Sequence, residues 1–300
     1  MTGRRLAYLL FFVFLAIPSI SSARDIPPFV TSDWLHQNMA TPGLLIVDVR
    51  SAADYKINHI PNAVSASVNS WAVNKNGLMR ELPAESDLLG LMGSIGIKDD
   101  SKVVVVGKGI SDFDRADAIR VAWTILTAGV KNVSILDGGF PKWLNEKKPV
   151  TAEPPLLQPG EYRGKVNMSA LATKKYVLGK IGKSILVDNR SPELFFGMTT
   201  ESWASKPGHI KSAVNLPAPW VFAQNGFLRS QSELESMANG VIGENKSKEI
   251  IAYCGVGAYA SVWSYILTEL LGYKDVKVYD GSMQEWVLDP VGPIAIYKWR

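Results

Sequence analysis

One cysteine, Cys254, stands among the 300 residues, at the point where the apolar run Ile250-Ile251-Ala252-Tyr253 stops. Gly255-Val256-Gly257-Ala258-Tyr259 follows, and a helical pattern extends from Ala260 to Leu271 before Gly272. The order predicts a buried strand, a six-residue loop opened by a thiol, and the N-terminus of a helix. Two glycines free the loop backbone to turn successive N–H groups inward around one spot. The helix beyond adds partial positive charge, which lowers the pKa of a thiol placed there and favours thiolate. Together these features predict a nucleophile with a main-chain cradle for any anionic group it carries. The plainer expectation, a cysteine used for packing, fits a strand end but not the flanking glycines.

A lone thiol has no internal disulfide partner, and its chemistry matters more if the chain is exported. Export is what the first 23 residues predict: Arg4 and Arg5 form a positive start, Leu6 to Ile17 is an apolar run of 12, and Ser21-Ser22-Ala23 supplies small residues for cleavage near Ala23. Twelve apolar residues are short for a bilayer span, which sets a retained anchor second. The twin-arginine route is disfavoured by Leu6-Ala7-Tyr8, and a lipoprotein by the lack of a nearby cysteine. The mature chain is expected in the periplasm or medium, off the membrane. The formal charge is +4, falling to +2 once Arg4 and Arg5 are removed, a balance that argues against nucleic-acid binding. With 47% apolar and 20% charged residues the composition is globular, long enough for two domains.

Two halves repeat the same landmarks in the same order. Leu44 to Val49 ends in Asp48-Val49-Arg50 and is followed by His59-Ile60; Ile185 to Val187 ends in Asp188-Asn189-Arg190 and is followed by His209-Ile210. Val103 to Val106 matches Ile250 to Tyr253, and Asp137-Gly138 through Trp143 matches Asp280-Gly281 through Trp286. Pro149, Pro154, Pro155 and Pro159 suggest an extended linker. The expected organisation is a signal peptide (1–23), a first domain (26–148), a linker (149–160) and a second domain (161–300). Each domain alternates strand-like and helix-like stretches and is expected to be α/β, a mainly parallel sheet flanked by helices.

The Asp-x-Arg strand ends, the His-Ile turns, the Cys-x-x-Gly-x-x loop and the Asp-Gly-x-x-x-x-Trp endings resemble the tandem-domain rhodanese family of sulfurtransferases, from about Ile26 to about Trp286. The resemblance implies a silent first domain and a second that carries sulfur on Cys254 as a persulfide. The matching place in the first half is Gly107, followed by a stretch from Lys108 to Arg120 read as a longer, charged loop. The implied activity moves a sulfane sulfur from thiosulfate, 3-mercaptopyruvate or a persulfide to cyanide, a small thiol or a protein thiol. A persulfide or selenium carrier with little turnover is the alternative. No cofactor or metal is expected, since His36, His59 and His209 lie apart from one another and from the cysteine.

The silent half also works as an internal control. Asp188 and His209 have equivalents there and are expected to be structural supports, one tying down the strand end and the other the turn. Arg190 has an equivalent too, yet it follows a strand next to Cys254, at the sheet edge where such folds bind ligands; either structure or an anionic donor would explain it. The residues expected to bind substrate are Arg190, Gly255, Val256, Gly257, Ala258 and Tyr259. Members of the family that use thiosulfate are similar in having basic residues after the cysteine, where this chain has Gly255 and Val256. Those using 3-mercaptopyruvate carry an arginine where this chain has Leu194-Phe195-Phe196-Gly197. Both departures leave the donor open. The related phosphatases have a longer loop closed by arginine, whereas this loop has six residues and ends in Tyr259.

Overall fold

The computed structural model describes residues 24–299; the expected signal peptide over 1–23 lies outside the described residues. The first half contains strands β1 (Phe29–Val30), β2 (Leu44–Asp48), β3 (Val64–Ser65), β4 (Val73–Lys75), β5 (Leu78–Glu81), β6 (Lys102–Val106) and β7 (Asn132–Leu136). Between them run helices α1 (Ser32–Asn38), α2 (Ala52–Ile57), α3 (Glu85–Ser94), α4 (Asp112–Thr127) and, after β7, α5 (Gly139–Asn145). The second half holds β8 (Ile185–Asp188), β9 (His209–Ile210), β10 (Val214–Asn215), β11 (Glu249–Tyr253), β12 (Asp275–Val278) and β13 (Ile294–Ala295). Its helices are α6 (Lys174–Lys180), α7 (Pro192–Phe196), α8 (Gln231–Ile242), α9 (Ala258–Tyr265) and α10 (Ser282–Trp286).

Both halves build parallel sheets, ordered β1-β7-β6-β2-β3 and β12-β11-β8-β10. The orders coincide except that β1 is reduced in the second half to a single parallel bridge, Leu171 to Val278. The register agrees as well, with Asp48 beside Val106 and Asp188 beside Tyr253. Central strands β6 and β11 are buried along nearly their whole length, as parallel sheets covered on both faces require. Thr31 and Thr173 cap α1 and α6 in the same way, a further landmark repeated in both halves.

Two expectations need correction. The stretch from Lys108 to Arg120 is mostly helix: Ser111 and Asp114 form a capping box, α4 starts at Asp112, and Arg120 is buried on it. The linker also begins later than residue 149. Thr151 bridges His59, and the Trp143 indole donates to the Pro149 carbonyl at 2.8 Å, so the first half runs on to Glu153, just as β13 pairs with β9 in the second. Residues 154–167 then lie along the first half, with Gly160 N–H donating to Gly93 O at 2.9 Å and Asn167 N–H to Thr127 O at 2.7 Å.

The halves share one core. α4 packs against α9, and a single buried cluster joins Val105, Ile119 and Trp123 to Ala252, Val262 and Trp263. Each half also lays an arm on the other. In the first, β4 and β5 form a hairpin turned by Asn76-Gly77, both with positive φ. Its Met79 N–H donates to Gln284 Oε1 at 2.8 Å and its Leu82 N–H to Asp280 Oδ2 at 2.7 Å. In return, the Asn225-Gly226 turn brings Leu228 N–H to Asp137 Oδ1 at 3.0 Å.

Candidate active site

Cys254 follows the last residue of β11, at the C-terminal edge of the sheet, and is 2% exposed. Its backbone is fixed on both sides. The Cys254 N–H donates to Ser282 Oγ at 3.1 Å, and the Cys254 carbonyl accepts from Met283 N–H at 3.0 Å. Ser282 has φ +50, a left-handed conformation in which the first half uses Gly139 at φ +61. A serine held there against its preference is explained by the hydroxyl it offers to the cysteine amide. Helix α9 begins at Ala258, two residues earlier than expected, so only Cys254 to Gly257 are loop. Gly257 takes φ +83, and a Cβ there would fall 2.4 Å from Asp280 Oδ1, which makes glycine obligatory.

The main-chain amides of Ala260, Val256 and Tyr259 act on the sulfur, each pulling the thiol down. Val256 and Tyr259 lie in the stretch expected to form a cradle, Gly255 to Tyr259, and Ala260 lies just beyond it. The thiol itself is not depressed as expected. Burial pushes the Cys254 thiol up; the three amides pull back, and the Glu201 carboxylate adds to the rise. Desolvation therefore outweighs the helix terminus in the resting thiol.

Around this sulfur, Tyr259 is half-buried, edge-on to Phe113 of the first half at 5.6 Å between ring centroids. Burial first, then Asp112, Cys254 and Asp117, push the Tyr259 phenol up to about 12, so it stays neutral and able to donate. Glu201, which carries no local signal in the chain, has its carboxylate against Gly255: a Cβ there would fall 2.3 Å from Glu201 Oε1. Glu201 Oε2 is buried without a hydrogen-bond partner, 3.6 Å from Arg190 Nη1. Burial pushes the Glu201 carboxyl up, and Arg190 only partly offsets it.

Arg190 is itself committed. Its Nη2 lies 2.6 Å from Asp188 Oδ2 and 2.7 Å from the Gly208 carbonyl, the pattern by which Arg50 engages Asp48 and the Asn58 carbonyl. Asp188 also accepts the Arg190 N–H at 3.0 Å. His209 stacks on Phe195 at 3.7 Å with Nδ1 2.8 Å or less from a carbonyl, that of Phe195 at 2.7 Å, as His59 stacks on Tyr55 with Nδ1 2.8 Å from the Tyr55 carbonyl. Burial holds the His209 imidazole below its usual range.

Gly107 occupies the place of Cys254 in the first half, its carbonyl accepting Phe140 N–H at 2.9 Å as that of Cys254 accepts Met283 N–H. This half nevertheless reaches the site. Arg120, fully buried on α4, sets Nη1 2.7 Å from Asp280 Oδ1 and Nη2 3.0 Å from Oδ2. Asp280 presses on Gly257 and leads into the turn that carries Ser282. Arg120 gave no local sign of this, since its partner lies 160 residues away.

Two stretches of the chain, residues 31–146 and 173–289, match the rhodanese-like domain. The chain belongs to the rhodanese family. Within that family it is 32% identical over 274 residues to the sulfur carrier protein TtuD of Thermus thermophilus, covering 86% of this chain and 92% of that protein. It is also 32% identical to the thiosulfate sulfurtransferase of Bos taurus, over 86% of this chain and 91% of the relative. Among solved structures, YnjE superposes with a TM-score of 0.79 at 25% identity, over 90% of this rhodanese and 68% of that chain.

Proposed function

We propose that this rhodanese moves a sulfane sulfur through a persulfide on Cys254. Once the Cys254 thiol has lost its proton to solvent, the thiolate attacks the outer sulfur of the donor; a new S–S bond forms as the donor's breaks, and the donor remnant leaves with the electron pair. A thiophilic acceptor, cyanide or a thiol, then attacks the outer sulfur and returns the Cys254 thiolate. The chain is a sulfurtransferase, and the observation that carries the reading is the place of its one cysteine, buried after β11 at the entry to α9, where main-chain donors act on the sulfur. Those donors stabilise charge on either sulfur in both transition states without reorganising.

The test is thiocyanate formation from donor and cyanide, beside the mass of the protein. Wild type gains about 32 Da on Cys254 with donor and loses it to cyanide over many cycles, and Cys254→Ser does neither. An adduct that forms but does not turn over would mark a carrier instead; sulfur transfer undiminished in Cys254→Ser would remove the reading. We further propose that the protein works in the periplasm or medium. The basic start at Arg4 and Arg5, the 12-residue apolar run and Ser21-Ser22-Ala23 support export, and no helix among the described residues is long and apolar enough to cross a membrane.

A further inference from the structure

The charges nearest the cysteine loop do not balance. Asp188 and Glu201 are two carboxylates set against one guanidinium, Arg190, which is bonded to Asp188 and stands 3.6 Å from Glu201. Among the described residues no other cation lies within 4.0 Å of Glu201. Gly255 and Val256 add no charge, and Phe195 is buried under His209. Across the site, Asp112 and Asp117 face Tyr259, paired with Arg115 and Arg80. Glu201 is thus the uncompensated charge at the loop, held against Gly255 with one oxygen buried and unpartnered.

We infer that Glu201 selects the sulfur donor by charge, disfavouring one that brings two negative charges to Cys254 and favouring a monoanionic or uncharged sulfane sulfur donor. The inference rests on Cys254 being the sulfur acceptor. A matched pair of donors isolates the effect. In thiosulfate the outer sulfur leaves sulfite, a dianion; in methanethiosulfonate one charged oxygen is replaced by methyl, and sulfinate leaves as a monoanion. In both cases Cys254 thiolate forms the new S–S bond, the donor's S–S bond breaks, its electron pair departs with the leaving group, and Cys254 keeps the persulfide. The two donors differ by one unit of charge, with the same bond made and broken.

Repulsion from Glu201 acts twice as strongly on the dianion, so its removal favours thiosulfate by one extra factor, while easier ionisation of Cys254 adds a gain common to both donors. In Glu201→Gln we expect the ratio of kcat/KM for thiosulfate to that for methanethiosulfonate to rise roughly threefold. Wild type gives a second reading that needs no variant. Glu201 faces Arg190, Asp188 behind it, and the Cys254 sulfur, and burial pushes its carboxyl up. As pH falls through its titration the preference for methanethiosulfonate over thiosulfate shrinks, although neither donor changes charge in that range. Equal effects of Glu201→Gln on both donors, or a donor ratio flat with pH in wild type, overturn the inference. Transfer from either donor in Cys254→Ser would instead remove the reading beneath it.

Discussion

Replacing Arg120 by methionine removes the buried cation that the first half sets against Asp280. The pair is closed by contacts of 2.7 and 3.0 Å, with Arg120 at 0% and Asp280 at 8% exposure. What remains is a desolvated carboxylate with one main-chain donor, Leu82 N–H at 2.7 Å. Breaking such a pair from one side costs about 3 to 5 kcal/mol, mostly as the penalty of the stranded charge. With a urea slope of about 3 kcal/mol/M, the unfolding midpoint falls by about 1 to 1.7 M. Turnover falls as well, because the Asp280 turn holds Ser282 and abuts Gly257. Adding Asp280→Asn removes the stranded charge but keeps an acceptor for Leu82, so the double variant recovers at least half of the lost midpoint. A single variant with an unmoved midpoint, or a double variant no better than the single, refutes the reasoning.

Two further outcomes follow from neighbouring residues. Ser282→Gly relieves a left-handed serine, a gain of up to about 1 kcal/mol, yet removes the acceptor for Cys254 N–H; thermal unfolding should show stability held within about 1 kcal/mol while kcat/KM drops roughly tenfold, and equal retention of both counts against a positioning role. Glu81, pushed up to about 7 by burial first and then by Asp280, is neutral when its interface is most stable. Its folded value lies above the ordinary carboxylate value, so the stability it contributes is complete below about pH 4.5 and lost as pH rises through about 7. Glu81→Gln should therefore raise the urea-derived stability by about 1 to 3 kcal/mol at pH 8 and leave it unchanged at pH 4.

The repeat and the parallel sheets were legible in the sequence because each rests on local signals, apolar runs that stop at a polar residue and glycines at fixed places; the position of the thiol between them was visible for the same reason. The capping box at Ser111 and Asp114 is equally local, and it marks the start of a helix where a longer loop to Arg120 is expected from charge alone. So are the Asn-Gly turns at 76–77 and 225–226, which mark the two arms. Other features could not be seen in that way. Nothing near Glu201 in sequence shows that it meets Gly255, and Arg120 resembles any helical arginine until α4 is packed against α9. The thiol's pKa followed the same divide: the helix end was foreseeable, the depth of burial was not.

The reciprocal arms make the two halves one cooperative object. A fragment cut at the linker would leave Asp280 and Gln284 without the hairpin that caps them, and would bare the face of α9 that α4 covers. The half without a cysteine is therefore not dispensable weight: it is the wall against which the half carrying Cys254 sets.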